Sequence, residues 1–246
     1  QEITSNFTVA VSGQEITVST DNLKEITGIS ANKYILVEYS AVLNSNAAIN
    51  KENVTGTDNG NINKVYLTYP RNESEAGRTP EDTVIVFTYE IKATKVDGGT
   101  NKGLKDVTFR IYKMSGDKKL YAQVADGKLK DWITTANDDC VLTSGEDGKF
   151  SLAGLDDGTY FIEEITPLPG YNSIDPVEIQ VNGNTNNGQS GNGATSELTD
   201  VTFTVGKTTA DAITIVNNAG TTLPSTGGMG TTVFYVVGGG LMAVAV

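Results

Sequence analysis

The chain has no histidine and only one cysteine, Cys140, among its 246 residues. Without histidine it cannot build an active site that depends on an imidazole as acid or base. A single cysteine cannot form an intrachain disulfide, the bond on which small secreted domains often rely. Because no histidine is present to activate it, we interpret Cys140 as a small buried hydrophobic residue rather than a nucleophile.

Positive charge is also scarce, since 18 Lys and Arg residues stand against 30 Asp and Glu residues and the net charge is −12. No basic patch interrupts the acidic body of the chain, which argues against a nucleic-acid partner. Adjacent carboxylates occur at 138–139, 146–147 and 156–157, but they lack the ordered ligand spacing of a calcium loop. We therefore expect no metal site and no cofactor.

Short runs of alternating apolar and polar residues occur at 7–11, 15–18, 34–39 and 65–69. A period of two is typical of β-strands with one buried face, and turn signals such as Ser12-Gly13 separate the runs at sandwich-like intervals. Farther along, residues 182–196 are low in complexity and predict an exposed loop. The pattern predicts an all-β fold.

Two segments carry a first resemblance: 39–44, Tyr-Ser-Ala-Val-Leu-Asn, and 61–69, Asn-Ile-Asn-Lys-Val-Tyr-Leu-Thr-Tyr. They resemble the second half of the middle domain of major pilins. The resemblance implies a cross-link between an Asn at the start of the latter strand, here Asn63, and a Lys expected to precede this chain. Residues 63, 65, 67 and 69 share one strand face, and the last three suit a core. The alternative is an Asn63 exposed in a turn.

A second resemblance is more specific and includes 152–160, Leu-Ala-Gly-Leu-Asp-Asp-Gly-Thr-Tyr, and 160–171, Tyr-Phe-Ile-Glu-Glu-Ile-Thr-Pro-Leu-Pro-Gly-Tyr. These segments, with 91–112 and 143–150, resemble a collagen-adhesin B-type domain. The resemblance implies an immunoglobulin-like sandwich with an intramolecular Lys-Asn isopeptide bond. The usual Thr-x-Ala-Pro is replaced by residues 165–169, which changes the local turn but leaves the Glu and the closing Gly-Tyr in register.

In three predicted strands an apolar face ends in a polar residue: Ile91, Ala93 and Lys95; Tyr160, Ile162 and Glu164; Ile213, Ile215 and Asn217. If these strands adjoin, Lys95, Glu164 and Asn217 could satisfy one another when buried. Burial lowers the pKa of a Lys amine, so its neutral form could attack the Asn carbonyl while a protonated Glu relays protons. The alternative is that Lys95 and Asn217 are solvated at strand ends. Glu163 and Asn218 are excluded by parity alone.

Leu223, Pro224, Ser225, Thr226 and Gly227 lie between the polar body and an apolar tail that begins at residue 233. This Leu-Pro-x-Thr-Gly motif resembles the wall-sorting signal of Gram-positive surface proteins, in which sortase cleaves after the threonine, here Thr226. Proline bends the backbone and glycine leaves room around the scissile carbonyl. An ordinary turn is the alternative, but the position before an apolar tail favours sorting.

The apolar tail, 233–246, is shorter than the roughly 20 residues that span a bilayer, and no basic residue follows Met242 within it. The chain also begins at Gln1, without a signal peptide. We expect a fragment of a secreted precursor whose tail inserts transiently into the membrane.

We predict an all-β fold of tandem immunoglobulin-like β-sandwich domains followed by a truncated C-terminal sorting signal. The domains are 1–88, the C-terminal part of a pilin middle domain; 89–218, the collagen-adhesin B-type domain; and 219–246, the sorting signal. Residues 79–82 match the connection between pilin domains, although a hairpin turn would look the same.

The resemblances imply a structural shaft subunit of a sortase-assembled covalent pilus, extracellular and anchored to the cell wall of a Gram-positive bacterium. Its partners would be sortase, neighbouring pilin subunits and peptidoglycan. The alternative is the stalk of a wall-anchored adhesin whose binding head is missing from this fragment. A surface enzyme has no support, since no nucleophile or metal constellation is present; only autocatalytic isopeptide formation is expected.

Overall fold

The structure of the protein is a computed structural model that describes residues 2–30, 32–44, 46–50, 60–72, 74–186, 188–190, 193–194 and 197–220. Throughout these ranges the regular elements are β-strands and short 3-10 helices, so the predicted all-β class is confirmed. No helix in the described ranges is long and apolar enough to cross a membrane. The chain divides between Val42 and Leu43 into two compact units. The predicted boundary near residue 88 stays a prediction.

The strands are β1 (Thr8–Ser12), β2 (Glu15–Ser19), β3 (Asn61–Val65), β4 (Thr68–Pro70), β5 (Ala76–Arg78), β6 (Asp82–Val86), β7 (Tyr89–Asp97), β8 (Thr108–Ser115), β9 (Lys118–Ala125), β10 (Lys128–Ile133), β11 (Leu142–Thr143), β12 (Lys149–Leu155), β13 (Gly158–Thr166), β14 (Val177–Asn186), β15 (Gln189–Ser190), β16 (Gly193–Ala194), β17 (Glu197–Val205), β18 (Thr208–Ala210) and β19 (Ile213–Asn217). The 3-10 helices are Thr4–Asn6, Leu23–Glu25 and Asp138–Cys140.

The first unit contains one antiparallel hairpin, β1 with β2, and both strands are exposed along their whole length. The predicted strand at 34–39 is wrong, because these residues form no ladder. Tyr34 and Leu36 are 90% and 70% exposed. An alternating sequence forms a strand only where a partner strand can pair with it. In this unit β1 and β2 pair with each other and not with residues 34–39.

In the second unit, the predicted strand at 65–69 is interrupted. The ladder of β3 with β6 ends at the pair Val65 and Asp82, and β4 then pairs with β5. Leu67 lies opposite Thr79 instead: its backbone N–H donates to Thr79 Oγ1 at 3.0 Å, and its carbonyl accepts from Thr79 N at 2.9 Å. The predicted core face is also wrong: Val65, Leu67 and Tyr69 are 61%, 62% and 41% exposed.

The loop predicted at 182–196 is largely wrong as well. Strand β14 continues to Asn186 and pairs with β17 through Glu197. In the described part of the remaining segment, β15 pairs with β16, which lies parallel to β6 at Gly193 and Thr83. Backbone hydrogen bonds form between any residue types, so a polar, Gly-rich composition did not prevent these ladders.

Apart from β15 and β16, the strands from residue 89 onward form a hydrogen-bonded path in the order β18-β17-β14-β13-β8-β9-β10-β12-β7-β19, with β11 added to β8. The path folds into two layers, since Phe109 on β8 stacks on Phe150 on β12 with ring centroids 4.2 Å apart although these strands are not neighbours. Alternate residues of β7 face inward, with Ile91 and Ala93 buried. The predicted immunoglobulin-like sandwich is confirmed for this region.

The first and last strands of this sandwich in chain order, β7 and β19, lie side by side. Strand β19 pairs with β7 in parallel, with Ile213 opposite Ala93 and Ile215 opposite Lys95. Cys140 is fully buried, as predicted, in the 3-10 helix before β11. The register of this parallel pair determines which side chains of β7 and β19 lie close enough to make contact.

Candidate functional site

Lys95, Glu164 and Asn217 meet inside the sandwich. Lys95 Nζ lies 2.8 Å from Glu164 Oε2. Asn217 Nδ2 donates to both oxygens of the same carboxylate, at 3.1 Å to Oε1 and 3.2 Å to Oε2. The structure therefore brings together an amine, a carboxyl group and an amide from three different strands.

The backbone explains this meeting. Lys95 and Asn217 lie on neighbouring parallel strands, offset by two residues because Ile215 is the register partner of Lys95. An offset of two keeps both side chains on the same face. Glu164 comes from the opposite layer, on β13, and a β-bulge follows it before Thr166. Bulges often re-aim side chains beside functional sites.

All three side chains are shielded from water. Lys95 is 0% exposed, the side chain of Glu164 is 1% exposed, and Asn217 is 1% exposed. Burial lowers the pKa of the Lys95 amine, and the hydrogen bond and charge of Glu164 offset this effect only in part. Moving a proton from Lys95 to Glu164 would remove both charges from a dry site, which reduces the desolvation penalty of the pair.

One atom of the cluster is left over. Asn217 Oδ1 is buried and has no hydrogen-bond partner among the described residues, a property it shares with Arg110 Nε. Such an orphaned acceptor typically costs about 1–3 kcal/mol. A buried polar atom without a hydrogen-bond partner needs a physical explanation, and a catalytic role is one recognised explanation.

Backbone contacts hold Lys95 itself in place. Its N–H donates to Gly148 O at 2.8 Å, and its carbonyl accepts from Leu104 N at 2.8 Å. Gly148 has φ +79°, and a Cβ added there would lie 2.2 Å from Lys95 O. Only glycine fits this position without moving β7.

Sequence reasoning missed the aromatic wall of the site. The Phe109 ring centroid lies 5.8 Å from Lys95 Nζ, and the side chain is fully buried. The alternation of Val107, Phe109 and Ile111 could have indicated that this ring faces inward. Its apolar surface helps to keep water away from the amine.

The neighbours that parity excluded lie outside the cluster. Glu163 pairs with Lys119, whose Nζ lies 2.9 Å from Glu163 Oε1. Asn218 is exposed. Neither side chain has a contact with the Lys95 amine in the described structure.

The remaining predicted residues do not join this cluster. Asn63 is exposed on β3, opposite Val84, and its role as a second acceptor stays a prediction. The motif 223–227 lies outside the described residues. Within the described residues, no group of three His, Cys, Asp or Glu side chains is placed to hold a metal ion.

A family model described as SpaA, prealbumin-like fold domain, matches residues 89–194. No curated protein matches the chain. Similar solved structures include the pilus 2b backbone protein of group B streptococcus (24% identity, TM-score 0.41, 63% of this chain and 48% of that one). Others are the SpaE basal pilin (22%, 0.35, 54% and 46%) and the shaft pilin SpaA (21%, 0.36, 58% and 50%), both from Lactobacillus rhamnosus GG. This chain thus spans about half the length of the proteins it matches.

Proposed function

We propose that Lys95 and Asn217 become joined by an intramolecular isopeptide bond, with Glu164 as the proton relay. The observation that carries this proposal is the buried contact of one carboxylate with both the amine and the amide nitrogen. Prealigned reacting groups in a water-free site can lower a reaction barrier by several kcal/mol.

The reaction is an amide exchange. The neutral Lys95 amine attacks Cγ of Asn217, and the Nζ–Cγ bond forms as the Cγ–Nδ2 bond breaks. One proton of the amine passes through Glu164 to Nδ2, ammonia leaves, and Glu164 returns to its starting state. The orphaned Oδ1 is the atom on which negative charge develops.

The bond would brace a sandwich that has no disulfide. A covalent link that closes the long segment between Lys95 and Asn217 should stabilise the fold by about 5 kcal/mol through the unfolded state, by analogy with a disulfide. Because β7 and β19 are neighbours, tension that enters at one strand can leave through the other without separating the strands between them.

On this basis the chain serves as a structural shaft subunit of a covalent pilus on the surface of a Gram-positive bacterium. The domain match at 89–194 and the Leu-Pro-Ser-Thr-Gly motif at 223–227 support this assignment. Sortase would join Thr226 to an amine of the next subunit or of peptidoglycan, after the apolar tail has held the precursor at the membrane.

Two experiments test the proposal. Intact-mass measurement of the chain should show the loss of one ammonia, and peptide mapping should find Lys95 linked to Asn217; a full sequence mass would refute the bond.

For sorting, the full-length precursor that carries this chain is expressed in a piliated host, and wall extracts are blotted after boiling in detergent. A ladder of multimers supports the shaft subunit, and a single wall-linked band favours the adhesin stalk. Thr226→Ala should abolish the wall-linked product, whereas Ser225→Ala, at the variable position of the motif, should retain it. An unchanged product with Thr226→Ala would overturn the sorting assignment.

A further inference from the structure

A hydrogen bond lies beside the cluster and connects two elements that flank Asn217. The Tyr171 hydroxyl donates to Asp97 Oδ2 at 2.7 Å. Asp97 is the register partner of Asn217 in the parallel ladder of β7 and β19. Tyr171 lies in the loop that follows β13, the strand that carries Glu164. One continuous segment thus supplies both the carboxylate and this contact.

The same loop holds the end of β19 through its backbone. Asn172 N donates to Asn218 O at 3.2 Å, and Gly220 N donates to Gly170 O at 2.7 Å. Tyr171 also forms an isolated antiparallel bridge with Ala219. From the other side, Gly98 N donates to Asn217 O at 2.8 Å. The start of the turn after β7 therefore holds Asn217 directly, and the loop after β13 holds residues 218–220 that follow it.

The Asp97 carboxylate is itself fixed by the turn that follows it. Its Oδ1 accepts from Gly99 N at 3.0 Å, and from the backbone N and the hydroxyl of Thr100 at 2.6 and 2.8 Å. The hydrogen bond from Tyr171 and those from Thr100 lower the pKa of the Asp97 carboxyl, so it is ionised at neutral pH. A rigid, charged acceptor makes the contact with Tyr171 directional.

The contacts at the end of β19 are important because β19 is the terminal strand of the sheet path and pairs with another strand on one side only. Asn217 is its last residue, where strands tend to fray. An error of about 1 Å in the placement of a reacting group can slow a reaction by about a hundredfold.

We propose that Tyr171 and Asp97 act as a positioning pair that holds the end of β19 so that the Asn217 amide meets the Lys95 amine and Glu164. The inference rests on the proposed isopeptide bond. Neither residue contacts the reacting atoms; both act through the backbone of residues 217–220.

The test compares rates of bond closure in the full chain. Cell-free synthesis is quenched at successive times, and the fraction that has lost ammonia is read from intact mass. Tyr171→Phe removes only the hydroxyl. Tyr160→Phe is the matched control, because it also removes a partly buried tyrosine hydrogen bond, 2.9 Å from its hydroxyl to Asp156 O, in which no reacting group takes part.

We expect Tyr171→Phe to slow closure about tenfold or more, and Tyr160→Phe to leave the rate unchanged. Asp97→Asn should slow it comparably, and the double variant should be no slower than the slower single variant, since both remove one contact. The shape of the closure rate plotted against pH should not change, because Lys95 and Glu164 are untouched. A contact that only stabilised the fold would not slow closure in this way.

Stability is measured in the Lys95→Ala background, which cannot close. There Tyr171→Phe should destabilise no more than Tyr160→Phe does. If wild type closes and Tyr171→Phe closes as fast as Tyr160→Phe, the positioning role is overturned while the bond stands. If wild type never loses ammonia, the proposed function and this inference both fail.

Discussion

Asn217 donates its amide nitrogen to both oxygens of Glu164, at 3.1 and 3.2 Å, while its own carbonyl oxygen has no partner in the described structure. The nitrogen in contact with the carboxyl group is the one that must leave as ammonia. The oxygen left free is the one on which charge must develop. Before any reaction, the amide is thus oriented for exchange, with the proton carrier on its leaving group.

Glu164→Gln should abolish closure, because an amide keeps the size and polarity of the side chain but cannot carry a proton between Lys95 and Asn217. Intact mass should show the full sequence mass. Without the bond, the free energy of unfolding should fall by about 5 kcal/mol. Glu163→Gln is the matched control, since the adjacent carboxylate pairs with Lys119 and should leave closure complete. A Glu164→Gln chain that still loses ammonia would remove the relay role.

Strand parity predicted which polar side chains lie on the apolar faces of their strands, and the structure shows that these side chains meet. Lys95, Glu164 and Asn217 each follow two apolar residues of the same face, and all three are buried together. What parity could not supply is the layer and the register: Phe109 comes from another strand, and the backbone contacts of Gly148 follow from tertiary packing.

The same rule failed in residues 1–88, where alternation at 34–39 and 65–69 led to no buried face. An alternating sequence gives a strand one apolar face, but that face is buried only where a second layer of the protein packs on it.

Phe109→Ala should affect the chemistry as well as the core. Removing a buried ring that stacks on Phe150 costs about 3–5 kcal/mol. Water that enters the space should raise the pKa of Lys95 toward its ordinary value, so less neutral amine is present and closure at neutral pH slows. Ile111→Ala, a buried truncation on the same strand, should destabilise the fold without slowing closure. Equal closure rates in the two variants would contradict this role for the ring.

Gly148→Ala should displace the backbone of β7 at Lys95. The added Cβ would lie 2.2 Å from Lys95 O, and φ +79° is itself costly for alanine, by about 1–2 kcal/mol. We expect a larger loss of stability than this penalty, together with slower closure. Gly116→Ala separates the two effects, because Gly116 has φ +58° and nothing within 4 Å of an added Cβ. If the free energy of unfolding falls equally in both variants, the close approach to Lys95 O makes no measurable contribution to stability.

Burial of Lys95 should make the stability of the unclosed protein depend on pH. In Asn217→Ala, which cannot close, the folded-state pKa of Lys95 lies below its ordinary value of 10.5. Between these two values the unfolded chain binds more protons than the folded one, so the free energy of unfolding rises with pH, by at most about 1.4 kcal/mol per pH unit. Below the lowered pKa the contribution no longer changes.

The measurement is urea unfolding of Asn217→Ala from pH 7 to 10, compared with a control that also carries Lys95→Met and Glu164→Gln. Tyr160, whose pKa is raised to about 12 mainly by burial, lowers stability only as pH rises above 10, and it is present in both proteins. The difference between the two unfolding free energies should therefore increase with pH and isolate the buried pair. A titration of ¹³C-labelled lysine should show one Cε resonance, absent from the control, that titrates below 10.5. A Lys95 resonance with an ordinary pKa would show that Lys95 reaches the reaction as an ammonium and would remove the neutral-amine step from the mechanism. A flat difference alone would not, because a proton moved from Lys95 to Glu164 leaves the number of protons bound to the pair unchanged.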